Sequence, residues 1–450
     1  MNPTLDTLVR ELDESLIERY QNDSPLFERL DQVQHETGIL HDDRPICPFL
    51  RPHFFPRSRY ENVKAAAETL HGAFERLTEA ALVDPELLSE FGLTEMEERM
   101  ARIDPRHGGL CVSSRFDAFL DGDDFKFLEY NAETPAGIGD QYSFDKVFDL
   151  VPEVGKFLER NAHWRPNPYI TLLETLDATY REFGGKRERP NIAIVDWEGV
   201  STFSEFKILE RHWLMNGYNT VIANPYELDY DGEHLRVGDF VVDIFYKRVI
   251  IHEFLERFDE SHPLIRAYSD GKVLMANNFR VKIPHKKTSF AVLSEGRWAH
   301  LFTPDQLRAI DRHIPWTRRI RAAKTSYRGE EVDLLECVRQ NRERFILKPH
   351  DDYGGHGIRF GWESSESEWE TVIDQALDAI FVVQERVPVE KTSIPTYSGE
   401  HANLENLNID FDPFLFRGKV HGGLVRLSSK SLVNVSQGGG ETSLVVMENF

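Results

Sequence analysis

The 450-residue sequence contains only three cysteines, Cys47, Cys111 and Cys337, which are far apart and form no C-x-x-C pair. This scarcity argues against a disulfide framework and against a structural zinc site, so we expect reduced thiols in the core. The sequence also lacks any apolar run long enough to cross a membrane. Its N-terminus, MNPTLDTLVRELDESLIERY, has neither the basic start nor the apolar centre of a secretion signal, and we therefore expect a cytoplasmic protein.

Positive charge is also in short supply, because 53 basic residues face 76 acidic ones and the formal net charge is −23. A nucleic-acid-binding function is therefore not expected, since phosphate contacts need a basic surface. A cationic substrate such as an amine is compatible with this charge, although solubility alone explains it more simply. The hydrophobic content of 40% and the length are typical of a globular chain with two or three domains.

The order of predicted elements indicates a mixed α/β (α+β) chain in four parts. Residues 1–104 are predicted to be mostly helical, because YENVKAAAETLHGAFERLTEAALV repeats apolar residues at helical spacing. Residues 105–187 carry a hairpin, in which LCVSSRFDAFL and FKFLEYN flank the turn-forming DGDD, and then helical segments. Residues 188–275 alternate strands and helices as a small α/β domain, and residues 276–450 add strands with glycine-rich turns.

The predicted hairpin places polar side chains in pairs. Strand residues two apart share a face, so Arg115 lies beside Asp117, and Glu129 beside Asn131. A three-residue loop over 122–124 pairs Asp121 with Phe125. It thereby sets Asp117 opposite Glu129, and Arg115 opposite Asn131.

Two carboxylates directly opposite each other destabilise a bare sheet, and a divalent cation reverses that effect. Carboxylate and amide oxygens suit Mg²⁺, and Arg115 beside them is placed to hold transferring phosphate oxygens. From spacing alone, a solvated hairpin face with a salt bridge from Arg115 is an equally simple interpretation.

A glycine loop lies in ILKPHDDYGGHGIRFGW, residues 346–362, where a predicted strand delivers Lys348 ahead of Gly354 and Gly355. Such a loop lets backbone N–H groups approach phosphates while a lysine neutralises their charge. The sequence has neither GxxxxGK[ST] nor GxGxxG here, so no P-loop or Rossmann site is predicted. An ordinary glycine-rich hairpin turn is the alternative.

Two weaker signals accompany this loop. VVQERVP places Gln384, Glu385 and Val387 at a strand end, which can offer backbone groups to an adenine edge and a carboxylate to ribose. A plain strand terminus is the alternative. PHKKTSFAVLSE puts Lys286 and Lys287 at a helix start, where lysine is mildly unfavourable and a phosphate partner explains it.

Together these segments resemble the ATP-grasp superfamily, and more closely its circularly permuted branch that contains glutathionylspermidine synthetase, in the synthetase portion only. That branch carries R-x-D followed about a dozen residues later by E-Y-N-A-[DE]-[ST]. Here the motifs are Arg115-Phe-Asp117 and Glu129-Tyr-Asn-Ala-Glu-Thr134, and they precede the nucleotide lysines, as the permutation requires. The resemblance covers roughly residues 105–440 and implies an ATP-grasp fold with 188–275 as a pre-ATP-grasp domain.

The resemblance implies an ATP-dependent carboxylate–amine ligase that forms an amide through an acyl-phosphate, releases ADP and phosphate, and uses two Mg²⁺ ions. Asp117, Glu129 and Asn131 are the implied metal ligands, Arg115 the catalytic residue and Thr134 a contact to the carboxylate substrate. The implied nucleotide contacts are Lys287 (or Lys286), Lys348, Gly354, Gly355, Gln384, Glu385, Val387 and Arg426.

Two departures from that branch leave the substrates open. We expect the amidase half of the bifunctional enzyme, with its Cys–His pair, to be missing. The stretch Asn434-Val-Ser-Gln-Gly-Gly-Gly is closer to generic ATP-grasp enzymes. The carboxylate, an amino acid or short peptide, and the amine are therefore not identified, and neither is the oligomeric state. A phosphotransferase and an inactive nucleotide-binding scaffold are the competing hypotheses.

Overall fold

The computed structural model describes residues 4–450. Its helices are α1 (Leu5–Tyr20), α2 (Ser24–Thr37), α3 (Arg57–Val83), α4 (Pro85–Ser89), α5 (Glu95–Ala101), α6 (Gln141–Phe148), α7 (Pro152–Arg160), α8 (Pro168–Glu182), α9 (Phe203–Met215), α10 (Ile251–Arg257), α11 (Pro263–Ser269), α12 (Lys282–His285), α13 (Thr288–Ser294), α14 (Pro304–His313), α15 (Leu334–Gln340) and α16 (Glu366–Asp378).

The strands are β1 (Leu40–His41), β2 (Arg44–Pro45), β3 (His53–Pro56), β4 (Ser113–Asp121), β5 (Asp124–Asn131), β6 (His163–Trp164), β7 (Ile192–Val195), β8 (Thr220–Ala223), β9 (Leu228–Tyr230), β10 (Leu235–Val237), β11 (Phe240–Val242), β12 (Ile244–Lys247), β13 (Leu274–Ala276), β14 (Thr317–Arg319), β15 (Lys324–Tyr327), β16 (Glu330–Asp333), β17 (Phe345–Pro349), β18 (Arg359–Phe360), β19 (Phe381–Glu385), β20 (Lys391–Ser398), β21 (His401–Phe416), β22 (Lys419–Ser428), β23 (Gly440–Thr442) and β24 (Leu444–Met447).

Three sheets organise the parts of the chain that matter for the site. The largest has the order β23-β22-β21-β4-β5, with β20 also paired to β21. A four-stranded parallel sheet, β13-β12-β7-β8, forms the centre of the small α/β region. An antiparallel sheet, β14-β19-β17-β18, carries the glycine loop between β17 and β18.

The long helix α3 covers one face of the largest sheet. Its buried residues recur every three or four positions, at 60, 63, 67, 70, 74, 77 and 81, which is the periodicity of a helix with one apolar stripe. Phe74 on this stripe stacks against Tyr130 with ring centroids 4.6 Å apart, and Tyr130 stacks on Phe116 at 4.3 Å. Because side chains alternate along a strand, the neighbours of these aromatic residues point to the opposite face.

The hairpin β4–β5 has the predicted register at the site but not the predicted loop. Asp121 pairs with Asp124, so the loop has two residues, and the pairing of Asp121 with Phe125 was wrong. A β-bulge next to Asp117 leaves Leu128 as one extra residue on β5. The short loop and the bulge offset each other. Asp117 therefore lies opposite Glu129, and Arg115 opposite Asn131, as expected.

The N-terminal and C-terminal parts of the chain are interleaved. Strand β3 pairs in parallel with β24 near the C-terminus, and the backbone N–H of Glu441 donates to the Ile46 carbonyl at 2.7 Å.

The three cysteines are buried free thiols, as predicted. Within residues 4–450, no helix combines the length and apolar character that crossing a membrane requires.

Candidate functional site

The polar face of the hairpin carries a closely bonded group of side chains. Arg115 donates to the two oxygens of Asp117 at 2.9 and 3.2 Å, and to the carbonyl of Ala136 at 2.9 Å. The Nδ2 of Asn131 donates to Asp117 Oδ1 at 2.8 Å, which leaves the amide oxygen of Asn131 as an acceptor. Arg115, Asp117 and Asn131 therefore meet where the sequence placed them.

Arg426 enters the same group from β22 and is enclosed by three carboxylates. Its Nη2 lies 2.9 Å from Asp117, 2.7 Å from Asp410 and 2.7 Å from Asp412. Burial alone would raise the pKa of Asp117, but the charges of Arg115 and Arg426 outweigh it and hold that pKa well below its usual range. We call Arg115, Arg426, Asp117, Asp410 and Asp412 the arginine–aspartate cluster.

Asp410 and Asp412 were not predicted as site residues, although the sequence carries a signal that could have found them. Both lie on β21 two residues apart, like the pairs on β4 and β5. Phe411 between them is fully buried on the opposite face, with its ring 6.1 Å from that of Tyr60. Asp412 also accepts the backbone N–H of Ala118 at 3.1 Å, which satisfies the amide at the bulge.

Two buried lysines reach the hairpin from other elements. Lys287, at the start of α13, pairs with Glu129 at 3.2 Å and donates to the Asp352 carbonyl at 2.5 Å. Lys348, on β17, donates to Gln384 Oε1 at 2.7 Å and lies 3.4 Å from the Leu128 carbonyl.

The charge on Lys348 is costly in this position. Burial lowers its pKa to about 8, the charge of Glu129 offsets part of that effect, and Lys287 lowers the pKa further. An anionic ligand next to Lys348 would restore its ordinary basicity, so the site favours a bound anion.

Lys286, the alternative to Lys287, lies in a different environment. Its Nζ pairs with Glu97 of α5 at 2.9 Å and with Asp351 at 3.0 Å. Lys282 also binds Asp351, at 2.7 Å, and Glu133, at 3.2 Å. We call Glu97, Glu133, Lys282, Lys286 and Asp351 the buried ion network. It holds Lys286 away from Glu129, so Lys287 is the one of the two that reaches the hairpin.

The glycine loop lies between Lys348 and β18, and its shape needs glycine. Gly354 and Gly355 have φ angles of +64° and +77°, and a Cβ on Gly355 would come within 2.5 Å of Leu432. Tyr353 at the tip donates to Glu253 of α10 at 2.9 Å. A surface cavity of about 510 Å³ lies on the Leu432 side of the loop.

In the predicted adenine-binding segment, the side chains of Gln384 and Glu385 bond to other protein residues, and the backbone of Val387 does not do so in the described part of the chain. Gln384 is buried within β19, and its side chain serves Lys348. The Glu385 carboxylate accepts from Tyr327 and Arg328 at 3.0 and 2.9 Å. Val387 follows the strand, and the structure records no hydrogen bond from its backbone to residues 4–450. A free backbone edge of this kind suits a planar heterocycle.

Thr134 lies on the loop that leaves the hairpin. The residue before it, Glu133, is fully buried and pairs with Lys282 and, at 3.7 Å, with Lys247 of β12. Burial raises the pKa of Glu133, but Lys282 and Lys247 outweigh it and bring the pKa to about 2. Thr134 is half-buried, and its hydroxyl makes no hydrogen bond to residues 4–450.

The side-chain oxygens predicted to bind magnesium lie close together, but those of Asp117 already accept hydrogen bonds from arginines. Within residues 4–450, no three His, Cys, Asp or Glu side chains form a preformed metal site. Glu129 and the amide oxygen of Asn131 suit Mg²⁺, which takes few protein ligands and completes its shell with water and phosphate. Asp117 is held by two guanidinium groups, so it would bind a metal only by giving up part of that contact.

The mixed α/β fold resembles that of a glutathione synthetase-like protein. The structure of a glutathione synthetase-like effector from Globodera pallida, in its apo form, matches with a TM-score of 0.63 and 15% identity, over 97% of this chain and 98% of that chain. A candidate gamma-glutamylcysteine synthetase from Methylobacillus flagellatus KT matches at a TM-score of 0.40 and 12% identity, over 88% of this chain and 89% of that chain. The first match shows a similar fold only, and the second is too distant to support any comparison of individual elements or residues. Scans against family models and curated proteins found no match.

Proposed function

We propose that the chain is an ATP-dependent carboxylate–amine ligase that forms an amide through an acyl-phosphate and releases ADP and phosphate. This function is the one implied by the resemblance of the motifs to the circularly permuted, glutathionylspermidine synthetase-like branch. Its carboxylate is an amino acid or short peptide, and its acceptor is an amine.

The observation that supports this most strongly is the convergence of two buried lysines on the hairpin. Lys287 lies 3.2 Å from Glu129, and Lys348 lies 3.4 Å from the carbonyl of the bulge residue Leu128. Burying two ammonium groups beside a single paired carboxylate is costly unless an anion completes the set. The triphosphate chain of ATP, with its bound magnesium, would supply that anion.

Each residue has a defined task in this proposal. Lys287 and Lys348 hold the phosphates, while Gly354 and Gly355 let the loop backbone approach them. Val387 offers its backbone to adenine, and Thr134 contacts the carboxylate substrate. Arg115 stabilises the negative charge that builds up as the phosphoryl group moves to the carboxylate.

Magnesium, held by Glu129, Asn131 and to a lesser extent Asp117, would offset the charge on the transferring phosphate. The loop 351–357 excludes water, which would otherwise hydrolyse the acyl-phosphate. The acceptor nitrogen then forms a bond to the acyl carbon, and phosphate leaves with the electron pair of the broken carbon–oxygen bond.

The test is a screen for ADP release over amino acids, short peptides including glutathione, and polyamines. We expect Arg115→Ala and Glu129→Ala to lose activity by a factor of about 10²–10³, or about 3–4 kcal/mol, because the first removes a contact to the transferring phosphate and the second removes a ligand of the magnesium that offsets its charge. The control is Lys156→Ala on exposed helix α7, which should keep full activity. Unimpaired turnover in either site variant would reject the assigned roles.

One observation favours the inactive scaffold as a second candidate. Both oxygens of Asp117 are occupied by Arg115 and Arg426, which is the arrangement of a structural ion pair. Magnesium-dependent ATP binding without ADP release for any substrate pair would support the scaffold. A phosphotransferase would be recognised by a product whose mass corresponds to a phosphate ester and not to an amide.

A further inference from the structure

Glu441 is a buried carboxylate without a partner on the charged face of the large sheet. It lies on β23 directly opposite Arg426 of β22, so both side chains share the face that carries the arginine–aspartate cluster. Glu441 is only 3% exposed, and its Oε1 has no hydrogen-bond partner among residues 4–450. Such a group is rare in folded proteins and needs a reason.

Two other buried carboxylates nearby, those of Asp412 and Glu205, each have cationic and hydrogen-bonding partners, whereas Glu441 has neither among residues 4–450. Asp412 accepts from Ala118 and lies against Arg426. Glu205 of α9 accepts from the Gly139 N–H and from Arg248, both at 3.1 Å. The structure records no comparable contact for Glu441 or for Asp140, the residue before α6.

The charged groups that face Glu441 act in both directions. Burial raises its pKa well above the usual value, and Asp140 and Glu205 raise it further, while Arg426 and Arg115 lower it. Two neighbouring carboxyls that are both short of partners tend to share one proton, so one of them is a stronger base than an ordinary glutamate.

The backbone of Gly137 lies close to the Glu441 carboxylate. Gly137 has a φ of +92°, and a Cβ at this position would lie 3.5 Å from Glu441 Oε1 and 2.8 Å from Leu424. Gly137 follows Ala136, whose carbonyl binds Arg115. The loop that carries Thr134 therefore runs from the proposed phosphoryl site to the Glu441 carboxylate.

We propose that Glu441 is the general base that removes a proton from the attacking amine. The inference rests on the proposed ligase function and adds a residue to that same site. In this step the amine nitrogen forms the bond to the acyl carbon, the carbon–oxygen bond to phosphate breaks, and phosphate leaves with its electrons. The proton from nitrogen goes to Glu441 Oε1, and half-exposed Asp140 passes it to solvent.

The test compares two nucleophiles in wild-type protein and Glu441→Gln. An alkylamine is protonated at neutral pH, so it must lose one proton to become nucleophilic and a second one as the amide forms. Hydroxylamine is already unprotonated at neutral pH and loses only the second proton, so it depends much less on a general base. We expect Glu441→Gln to lower kcat for the amine by a factor of about 10²–10⁴, the usual contribution of general base catalysis. The hydroxamate rate should stay within a few-fold of wild type.

Two further variants complete the design. Glu441→Asp keeps a carboxylate and should recover part of the amine rate, and Glu405→Gln removes an exposed charge on β21 and should change neither rate. The amide of glutamine has the shape of a protonated carboxyl, so Glu441→Gln should fold, and circular dichroism verifies this. If it does not fold, Glu441→Asp alone must show a slower amine rate and an unchanged hydroxamate rate.

Three outcomes would overturn the inference: an unchanged amine rate in Glu441→Gln, an equal loss with both nucleophiles, or a rise in KM for the amine at constant kcat. The last would mark Glu441 as a binding residue. Failure of the ligase proposal looks different, because wild-type protein would then form neither amide nor hydroxamate with any carboxylate.

Discussion

Replacing Lys348 with methionine should stabilise the ligand-free protein. The lysine is 5% exposed, and its pKa falls from an ordinary 10.5 to about 8 because of burial. Since one pKa unit corresponds to about 1.4 kcal/mol, keeping this side chain charged costs about 3 kcal/mol at neutral pH. Lys348→Met removes that cost but leaves Gln384 Oε1 without its donor, a loss of about 1–3 kcal/mol. We expect a net gain of about 1 kcal/mol.

The gain should depend on pH in a defined direction. Between pH about 8 and about 10.5, the unfolded chain still binds a proton that folded Lys348 has released. Wild-type stability therefore receives a contribution from Lys348 that rises with pH across this window, and the methionine variant receives none. The advantage of the variant should shrink, and then reverse, as the pH approaches 10.

Urea denaturation of Lys348→Met and wild type, followed by circular dichroism at about pH 7 and about pH 10, measures this difference. Lys156→Met, an exposed lysine on α7, controls for the loss of a positive charge. If the variant is less stable than wild type by the same amount at both pH values, burying the charged form of Lys348 carries no free-energy cost and the reasoning is refuted. The same variant should bind ATP more weakly than wild type.

The remaining predictions concern other parts of the site. Arg426→Leu should lower the free energy of unfolding by about 3–5 kcal/mol, because Asp410 and Asp412 lose the cation that contacts them most closely and Asp117 keeps only Arg115; a loss below about 1 kcal/mol in urea titrations would contradict this. Gly355→Ala should impair ATP turnover, since its Cβ would meet Leu432 at 2.5 Å, whereas Gly122→Ala at the open hairpin tip should only cost about 1 kcal/mol of stability. Lys287→Gln should weaken ATP binding in calorimetry, and Lys286→Gln should instead lower stability, because Lys286 pairs with two buried carboxylates; the reverse pattern would exchange their roles.

The hairpin has the predicted register at Asp117 for a reason that differs from the predicted one. Counting back from a three-residue loop paired Asp117 with Glu129, but the loop has only two residues. The bulge at Leu128 compensates, and it depends on Asp412 accepting the Ala118 N–H from a strand almost 300 residues away. No local pattern contains that contact, so the bulge was not predictable from the hairpin alone.

The arginine–aspartate cluster was missed for a related reason. Asp410 and Asp412 follow the same two-residue spacing as the hairpin pairs, yet nothing in the sequence says that β21 lies next to β4. The resemblance implies a nucleotide contact for Arg426 and an adenine contact for Gln384. The three aspartate partners of Arg426 and the bond from Lys348 to Gln384 are contacts that the sequence did not indicate. Strand order, which sets these contacts, is a long-range property.

The buried ion network links the helical region before residue 105 to the proposed nucleotide site. Glu97 of α5 is 2% exposed, and its carboxylate binds Lys286, the immediate neighbour of the proposed phosphate ligand Lys287. Trimming the chain to a minimal catalytic unit would remove one of the two carboxylates that pair with Lys286 and would disturb the residue next to it. Helix α5 therefore supports the proposed active site from behind, and attempts to dissect this protein should keep it.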